Sequence, residues 1–438
     1  MTAPNLRTGA GVAALRASNL ARVIRVVHRE GESSRSKLVA ATGLDRSTIG
    51  SLVGELAQVG ILEEDSPLGR PHLPGRPSSR VTVPATGPAV IAVEIEVDYI
   101  RVEVIQLGGE RIAEIRKPRS RSLLTVNDTL HDVAGLIVEL ERGVPADRRP
   151  VAVGVSIGAL VRGSDGYLHT APAFGWRDIP LGTLLRERLD DVRPIVIGND
   201  ADVGVLAEHM RGAARGANDV IYLSGHAGLG GGVLIGGRLL HGAAGVGGEI
   251  GHMVINPGGR MCRCGAVGCW ETEVAEDAIQ RQTGLAGGRS GLEEALRSAE
   301  AGDAKVLAGL SRIGAWLGLG LCSLVNIFSP ELFVLGGIYG RLLPFVQEDV
   351  ERELGRALAA PRSMVRVIAS ELGLEAAPVG AAELAFRYLL SDAGAADPSR
   401  DWSAVDDAGP DAPWMARPDH IPLLRLWAGL GRGSAVGG

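Results

Sequence analysis

Cys262, Cys264 and Cys269 are three of the chain's four cysteines, they fall within eight residues, and His252 lies ten positions before the first of them. A Cys-x-Cys pair followed by a third Cys among glycines lets a tight loop wrap one ion, with an imidazole from a neighbouring segment closing the tetrahedron. Three thiolates and one imidazole form a closed set with no position left for a reactive water. The pattern therefore predicts a structural zinc site held by His252, Cys262, Cys264 and Cys269. A disulfide or a group of inert thiols is the alternative. Cys262 and Cys264 are too close to bridge comfortably, and an Arg- and Gly-rich loop is a poor place for inert thiols. Whatever this chain folds into must accommodate a metal-stapled loop over roughly 247–273.

The 438 residues suggest two or three domains. Clustered cysteines without an apolar leader are expected of a reduced, cytoplasmic compartment. The most apolar run, Ile313 to Phe328, is short and Gly-rich for a membrane span and reads as a buried helix, so no membrane partner is expected. Charge is unevenly spread. Residues 1–83 hold eleven Arg and Lys against seven Asp and Glu, a net +4, and the remainder holds 34 against 44, a net −10. A basic head on an acidic body suggests that the head meets a polyanion, although many solvated helices are mildly basic.

The head has a pattern as well as a charge. Asn19 to Arg29 places Leu20, Val23, Ile24 and Val27 on one helical face. After a turn at Gly31, Ser34 to Thr42 predicts a short second helix with Leu38 and Val39 inward. Gly43-Leu44 makes a tight turn, and Asp45 can cap a third helix that buries Ile49, Leu52, Val53, Leu56 and Val59 and stops at Gly60. This is a helix-turn-helix layout. Arg46, Ser47, Thr48 and Ser51 would face base edges from the start of the recognition helix, and Arg35, Ser36 and Lys37 would touch phosphates. Ile61 to Glu63 and Arg80 to Val83 read as strands flanking a Pro-, Gly- and Arg-rich segment, a wing whose Arg70 and Arg76 suit a minor groove. A flexible linker with incidental arginines is the alternative.

The stretch GEIGHM (248–253) followed by CRCGAVGCWE (262–271) resembles the zinc motif of the ROK family of repressors, open reading frames and kinases. The N-terminal segment, with its Gly-Arg-Pro at 75–77, is similar to that of the family's repressors. The resemblance spans about residues 18–390. It implies an α/β body of actin-like ATPase or hexokinase (ribonuclease-H-like) type in two lobes over 84–390, behind a small α+β winged-helix domain over 1–83. Gly158 matches a sugar-facing turn after the strand Val151 to Ile157. Asn199-Asp200 ends the strand IVIGND, and Asp200 stands where the family's kinases keep a general base. Glu249, His252 and Glu271 match positions that hydrogen-bond sugar hydroxyls, with His252 serving metal and ligand together. A structural helix cap is the alternative for Asp200, and a charged surface loop for Glu271.

Departures from the family pattern are as informative. Its kinases carry an Asp-x-Gly-Gly-Thr turn after the first strand, whereas this chain reads Glu94-Ile95-Glu96-Val97-Asp98. A turn without glycine cannot bring its amides to phosphates without strain, and three carboxylates repel them. His226-Ala227 replaces Gly-Thr in the second Gly-rich loop, and Ala173 stands in YLHTAPAFGW (167–176) where the family often has Asn. Ala304 to Phe328 reads as a long helix, Glu331 to Gly337 as a strand ending in a Gly pair, and Pro378 to Ala382 as the head of the last family helix. Residues 391–438 have no counterpart and are expected to be a mostly disordered tail, with Pro422 to Trp427 as a short docking helix.

The expected function is thus a sugar-responsive DNA-binding regulator, a repressor of carbohydrate uptake or metabolism genes, without catalytic activity. Its partners would be double-stranded operator DNA and a sugar or sugar-phosphate effector, and its state a homodimer or dimer of dimers. The competing reading is an active ATP-dependent sugar kinase with a fused DNA-binding head. A third is a body that serves only as a dimerisation scaffold.

Overall fold

The computed structural model describes residues 7–65, 79–120, 125–145, 148, 150–189, 193–225, 228–242, 245–285, 288–391, 422–423 and 426. The chain opens with α1 (Arg7–Glu30), β1 (Glu32–Ser34), α2 (Arg35–Thr42), α3 (Arg46–Gln58), β2 (Glu63–Asp65) and β3 (Arg80–Thr82). Ser34 caps α2, accepting from the Lys37 amide, and Gly43 closes it in the left-handed region at φ 70°. Asp45 caps α3 by accepting from the amides of Ser47 and Thr48, as its position before the apolar run predicts. Leu20, Val23, Ile24, Leu38, Ile49, Leu52, Val53 and Leu56 are buried together, while Val39 and Val59 are half-buried.

Two features of the head correct the sequence-based expectation. The outgoing strand is Glu63–Asp65 instead of Ile61–Glu63, because Ile61 and Leu62 are fully buried under the helices. A third strand, β1, precedes α2 and completes a sheet in the order β1-β3-β2, with Ser33 and Glu64 both opposite Val81. Three residues with a single buried side chain show no periodicity, so local pattern could not reveal β1. Arg70 and Arg76 lie outside the described residues.

Beyond the Pro84–Pro88 segment come β4 (Ala89–Ile95), β5 (Tyr99–Gln106), β6 (Arg111–Pro118), α4 (Val126–Gly143), β7 (Val153–Ile157), β8 (Leu160–Arg162), β9 (Tyr167–Ala171), β10 (Trp176–Ile179), α5 (Leu181–Leu189) and β11 (Ile195–Asn199). α6 (Asp200–Arg211) leads to β12 (Val220–Gly225), β13 (Leu229–Ile235) and β14 (Arg238–Leu239). After the loop come α7 (Glu271–Val274), α8 (Glu276–Thr283), α9 (Gly288–Glu300), α10 (Ala304–Phe328), β15 (Leu332–Leu335), α11 (Gly337–Leu354), α12 (Ala359–Met364), β16 (Arg366–Ala369) and α13 (Ala376–Leu389).

The two large sheets repeat one plan. The first runs β11-β7-β4-β5-β6 and the second β14-β13-β12-β15-β16. In each, three consecutive antiparallel strands are extended beyond the first of them by two parallel strands. A duplicated mixed α/β sheet makes two lobes, and the carboxyl ends of the parallel strands are where such sheets hold ligands. The segment 167–179 is a hairpin, β9 and β10, added to β8 as a separate small sheet.

α10 occupies the span Ala304–Phe328 expected for a long helix and buries Leu310, Ile313, Leu317, Leu321 and Leu324 on a helical repeat. One glycine in it has a specific packing reason: a Cβ on Gly320 would sit 2.0 Å from the Trp270 ring, so the helix seats the cysteine-loop tryptophan against bare backbone. The head does not stand apart from the body. One apolar cluster joins Leu20, Ile24, Leu38 and Leu52 of the head to Val90, Ala92, Val151, Ala385 and Phe386 of the body. Leu423, in the stretch expected to dock, is fully buried in that cluster with Leu426 against it, so this part of the tail is packed; Trp427 lies outside the described residues.

Candidate functional site

The cysteine loop is assembled by short backbone bridges. Val254 pairs with Cys269 and Met261 with Val267, and the Cys262 amide donates to the Ala266 carbonyl at 2.7 Å. Trp270, fully buried, donates from Nε1 to the Trp316 carbonyl at 2.9 Å and so pins the loop to α10. The ligand atoms of His252, Cys262, Cys264 and Cys269 all lie within 4.8 Å of one another. His252 Nδ1 is 3.6 Å from Cys262 Sγ, and the Sγ atoms of Cys264 and Cys269 are also 3.6 Å apart. A tetrahedral ion with bonds of about 2.3 Å to sulfur and about 2.0 Å to nitrogen places an S–N pair about 3.5 Å and an S–S pair about 3.8 Å apart. The donor set therefore fits such an ion and is far too open for a disulfide. Without a cation, burial and then the Glu271 carboxylate push the Cys262 thiol up; a bound dication reverses that preference.

His252 joins this loop to the cleft between the lobes. Its Nδ1 faces the sulfur atoms while its Nε2 lies 3.9 Å from Glu249 Oε2. Glu271 Oε1 accepts from the Cys262 thiol at 2.8 Å and sits 3.8 Å from His252 Nδ1. The cleft has a volume of 680 Å³, and Gly158, Asn199, Asp200, Glu249, His252 and Glu271 all line it. A Cβ on Gly158 would lie 3.8 Å from Asp200 Oδ2, so the two strand ends converge. Burial, and then Asp200 and Glu271, push the Glu249 carboxyl up against the lowering effect of His252. Asp200, Glu249 and Glu271 together offer many acceptor lone pairs to one space. That chemistry suits the hydroxyls of a neutral polyol.

Asn199, expected to contact sugar, has a scaffold task. Its side-chain oxygen caps α6 by accepting from the amides of Ala201 and Asp202, and its Nδ2 donates to the Ala159 carbonyl at 2.9 Å. The cap considered as the alternative role for Asp200 thus belongs to its neighbour, which leaves Asp200 as the first helical residue with its carboxylate at the cleft.

The glycine-free turn after β4 is a tight hairpin: Ile95 pairs with Ile100, and the Glu96 amide donates to the Tyr99 carbonyl at 3.0 Å. Glu96, Val97 and Asp98 line the cleft, whereas Glu94 is buried and accepts from the Tyr99 hydroxyl at 2.9 Å. Two of the three carboxylates, not all three, therefore face the space a nucleotide would need. His226 and Ala227 lie outside the described residues, and Ala173 lines the cleft. Sequence reasoning missed Arg177, Arg260 and Arg341 on the same walls; they come from three separate segments, and only Arg260 sits in a stretch the sequence had singled out.

On the head, Arg46, Ser47 and Ser51 are exposed at the start of α3, and Thr48 is half-buried. The hydroxyls of Ser47 and Thr48 donate to Asp45 at 2.5 and 2.7 Å, and Arg16 donates to Ser51 Oγ at 3.4 Å. Those hydroxyl bonds, with the cap amides, hold the exposed Asp45 carboxyl well below the usual range. Arg35 and Ser36 are exposed at the start of α2, and Arg35 pairs with Glu64 of β2 at 2.6 Å. Among the described residues, Arg46 forms no ion pair.

A family model described as the ROK family matches residues 90–387. A xylose repressor of Bacillus spizizenii is 28% identical over 372 residues, which cover 84% of this chain and 94% of the repressor. A ROK family transcriptional regulator homologous to the Escherichia coli MLC protein superposes with TM-score 0.71 at 23% identity over 85% of this chain and 96% of its own. A ROK family glucokinase from Streptomyces griseus, solved with glucose and AMPPNP, gives TM-score 0.60 at 27% identity; it is covered to 99% but covers only 68% of this chain.

Proposed function

Because the chain belongs to the ROK family, we propose that it is a sugar-responsive DNA-binding transcriptional regulator, a repressor of carbohydrate uptake or metabolism genes. The observation that carries this reading is the winged-helix head sharing one apolar core with a two-lobed body whose cleft converges on Asp200, Glu249 and Glu271. The glucokinase similar to this chain covers 68% of it, against 84% for the xylose repressor. Zinc at His252, Cys262, Cys264 and Cys269 braces the cleft wall and supplies no reactive position. The duplex is met by Arg46, Ser47, Thr48 and Ser51 on α3, with Arg35 and Ser36 toward phosphate. A polyol closing the lobes changes the spacing of two heads in a homodimer.

The kinase reading is favoured by Asp200 alone, which keeps a carboxylate where a hydroxyl proton would be taken. Against it stands the Glu96–Asp98 turn, which points carboxylates into the cleft without a glycine. Two assays separate the readings. Fluorescence anisotropy with duplexes selected from a random library should show specific binding that D-xylose or D-glucose changes several-fold, and Arg46→Ala should weaken that binding by about tenfold at fixed salt. A coupled ATPase assay with the same sugars should show no turnover. Sugar-dependent ADP release, or no duplex selected at all, overturns the proposal.

A further inference from the structure

α6 begins at Asp200 in the cleft and ends at Arg211 beneath the head. Its twelve residues span about 18 Å without a break. At the far end, Arg211 Nε donates to Glu383 Oε1 at 2.5 Å and Nη1 to the Gly108 carbonyl at 2.9 Å. Arg211 Nη2 donates to the main-chain carbonyl of His28, on the head's first helix, at 3.1 Å. Glu383, on α13, places Oε2 2.8 Å from His28 Nε2, and the Gly108 amide donates to His28 Nδ1 at 2.9 Å. The His28 imidazole is thus held between the Glu383 carboxylate and the Gly108 amide, with Arg211 the permanent cation that balances Glu383. His28 and Glu383 are 2% and 6% exposed.

The junction therefore ties three elements together: α1 of the head, α6 from the cleft and α13 between them. Exposed ion pairs are weak and yielding, but a buried one that loses a partner leaves an uncompensated charge, so this contact holds in one seating and resists intermediate ones. α6 and α13 share backbone contact as well. A Cβ on Gly380 would lie 2.0 Å from the Val203 carbonyl oxygen, so α6 cannot shift without carrying α13. The head's cluster with Phe386 follows, because that ring, also on α13, lies 4.6 Å from the His28 imidazole of α1.

We propose that α6 is the relay between the ligand cleft and the DNA-binding head, with the Arg211–Glu383–His28 junction as the coupling point that sets how the head sits on the body. A polyol gripped by Asp200 displaces the amino end of α6, and the carboxyl end re-seats His28 and with it α1. The inference rests on the sensor reading of the cleft and adds the residues that transmit the signal. The coupling is a free energy shared by two sites, so it is read as the ratio of duplex affinities with and without sugar.

The test uses the full chain, the duplex selected by the wild type, and D-xylose and D-glucose as probes. Arg211→Gln, Glu383→Gln and His28→Gln each keep polar groups at the junction while removing its charge balance or its imidazole. In each, sugar affinity by thermal shift without DNA should stay within about twofold of wild type. The duplex-affinity ratio, which for allosteric proteins is typically about 5 to 150, should fall to within about twofold of one. A merely structural role lowers the melting temperature and leaves the ratio alone. Wild-type ratios retained in the folded variants overturn the relay while sparing the sensor. A wild-type ratio of one with both sugars overturns the sensor reading itself, and the relay with it.

Discussion

Cys264 is the residue at which a packing argument and a metal argument part company. It is exposed, and an exposed thiol replaced by a hydroxyl should leave a fold almost untouched. As one of four donors within 4.8 Å it should instead be indispensable. Cys264→Ser is expected to abolish stoichiometric zinc and lower the melting temperature by several degrees. Metal content unchanged by elemental analysis would refute the site. All four donors were legible in the sequence, because three cysteines in so short a span have few other uses. The orientation of His252 was not, since which nitrogen meets sulfur and which meets Glu249 follows from how the 250–252 turn is held over β13. The task of Asn199 was equally invisible: strand-end Asn-Asp reads the same whether the first or the second residue caps the helix.

Among elements, the cysteine loop and α10 depend on each other. Trp270 enters α10 at Gly320 and bonds to the Trp316 carbonyl, so the loop's position is decided by a helix about fifty residues further on. Trp270→Ala should cost about 3–5 kcal/mol of stability in urea unfolding, and it should also weaken zinc retention against a chelator. A variant that loses stability but holds its metal as tightly as wild type would show that the loop positions itself. That α10 is a buried helix could be read from its apolar run, and the third helix of the head from Asp45 and the run behind it. β1 could not be read, because a three-residue strand exists only through its pairing with β3.

For the molecule as a unit, the head–body junction contributes to acid stability. Burial pushes the Glu383 carboxyl up, but His28 and Arg211 more than reverse it, down to about 2 from 4.5. A folded pKa depressed in this way contributes stability that is complete above about pH 4.5 and is lost as pH falls toward 2. The contribution is on the order of 3 kcal/mol. Glu383→Gln should therefore be less stable than wild type at neutral pH, with the difference shrinking across that window when both are followed by urea unfolding. A constant difference from neutral pH down through that window would mean that the junction is not ionised as described. The continuity of core from Leu20 to Phe386 to Leu423 carries the same message, since composition alone divides the chain at Pro84–Pro88 and marks 391–438 as tail.

Patterns that are local in the chain were readable from residues alone: the Cys-x-Cys cluster, the capped helix-turn-helix, the strand ending in Asn199-Asp200, the turn that lost its glycines. Each reflects a constraint met within a few neighbours, by the spacing of a donor cluster, a helix's periodicity or a backbone dihedral. Long-range packing settled the rest. It brought Arg177, Arg260 and Arg341 to one cleft, buried Leu423 under the head, and set Arg211 and Glu383 against His28. Those partners lie far apart in sequence, and their meeting depends on how two sheets and two crossing helices fill a common volume.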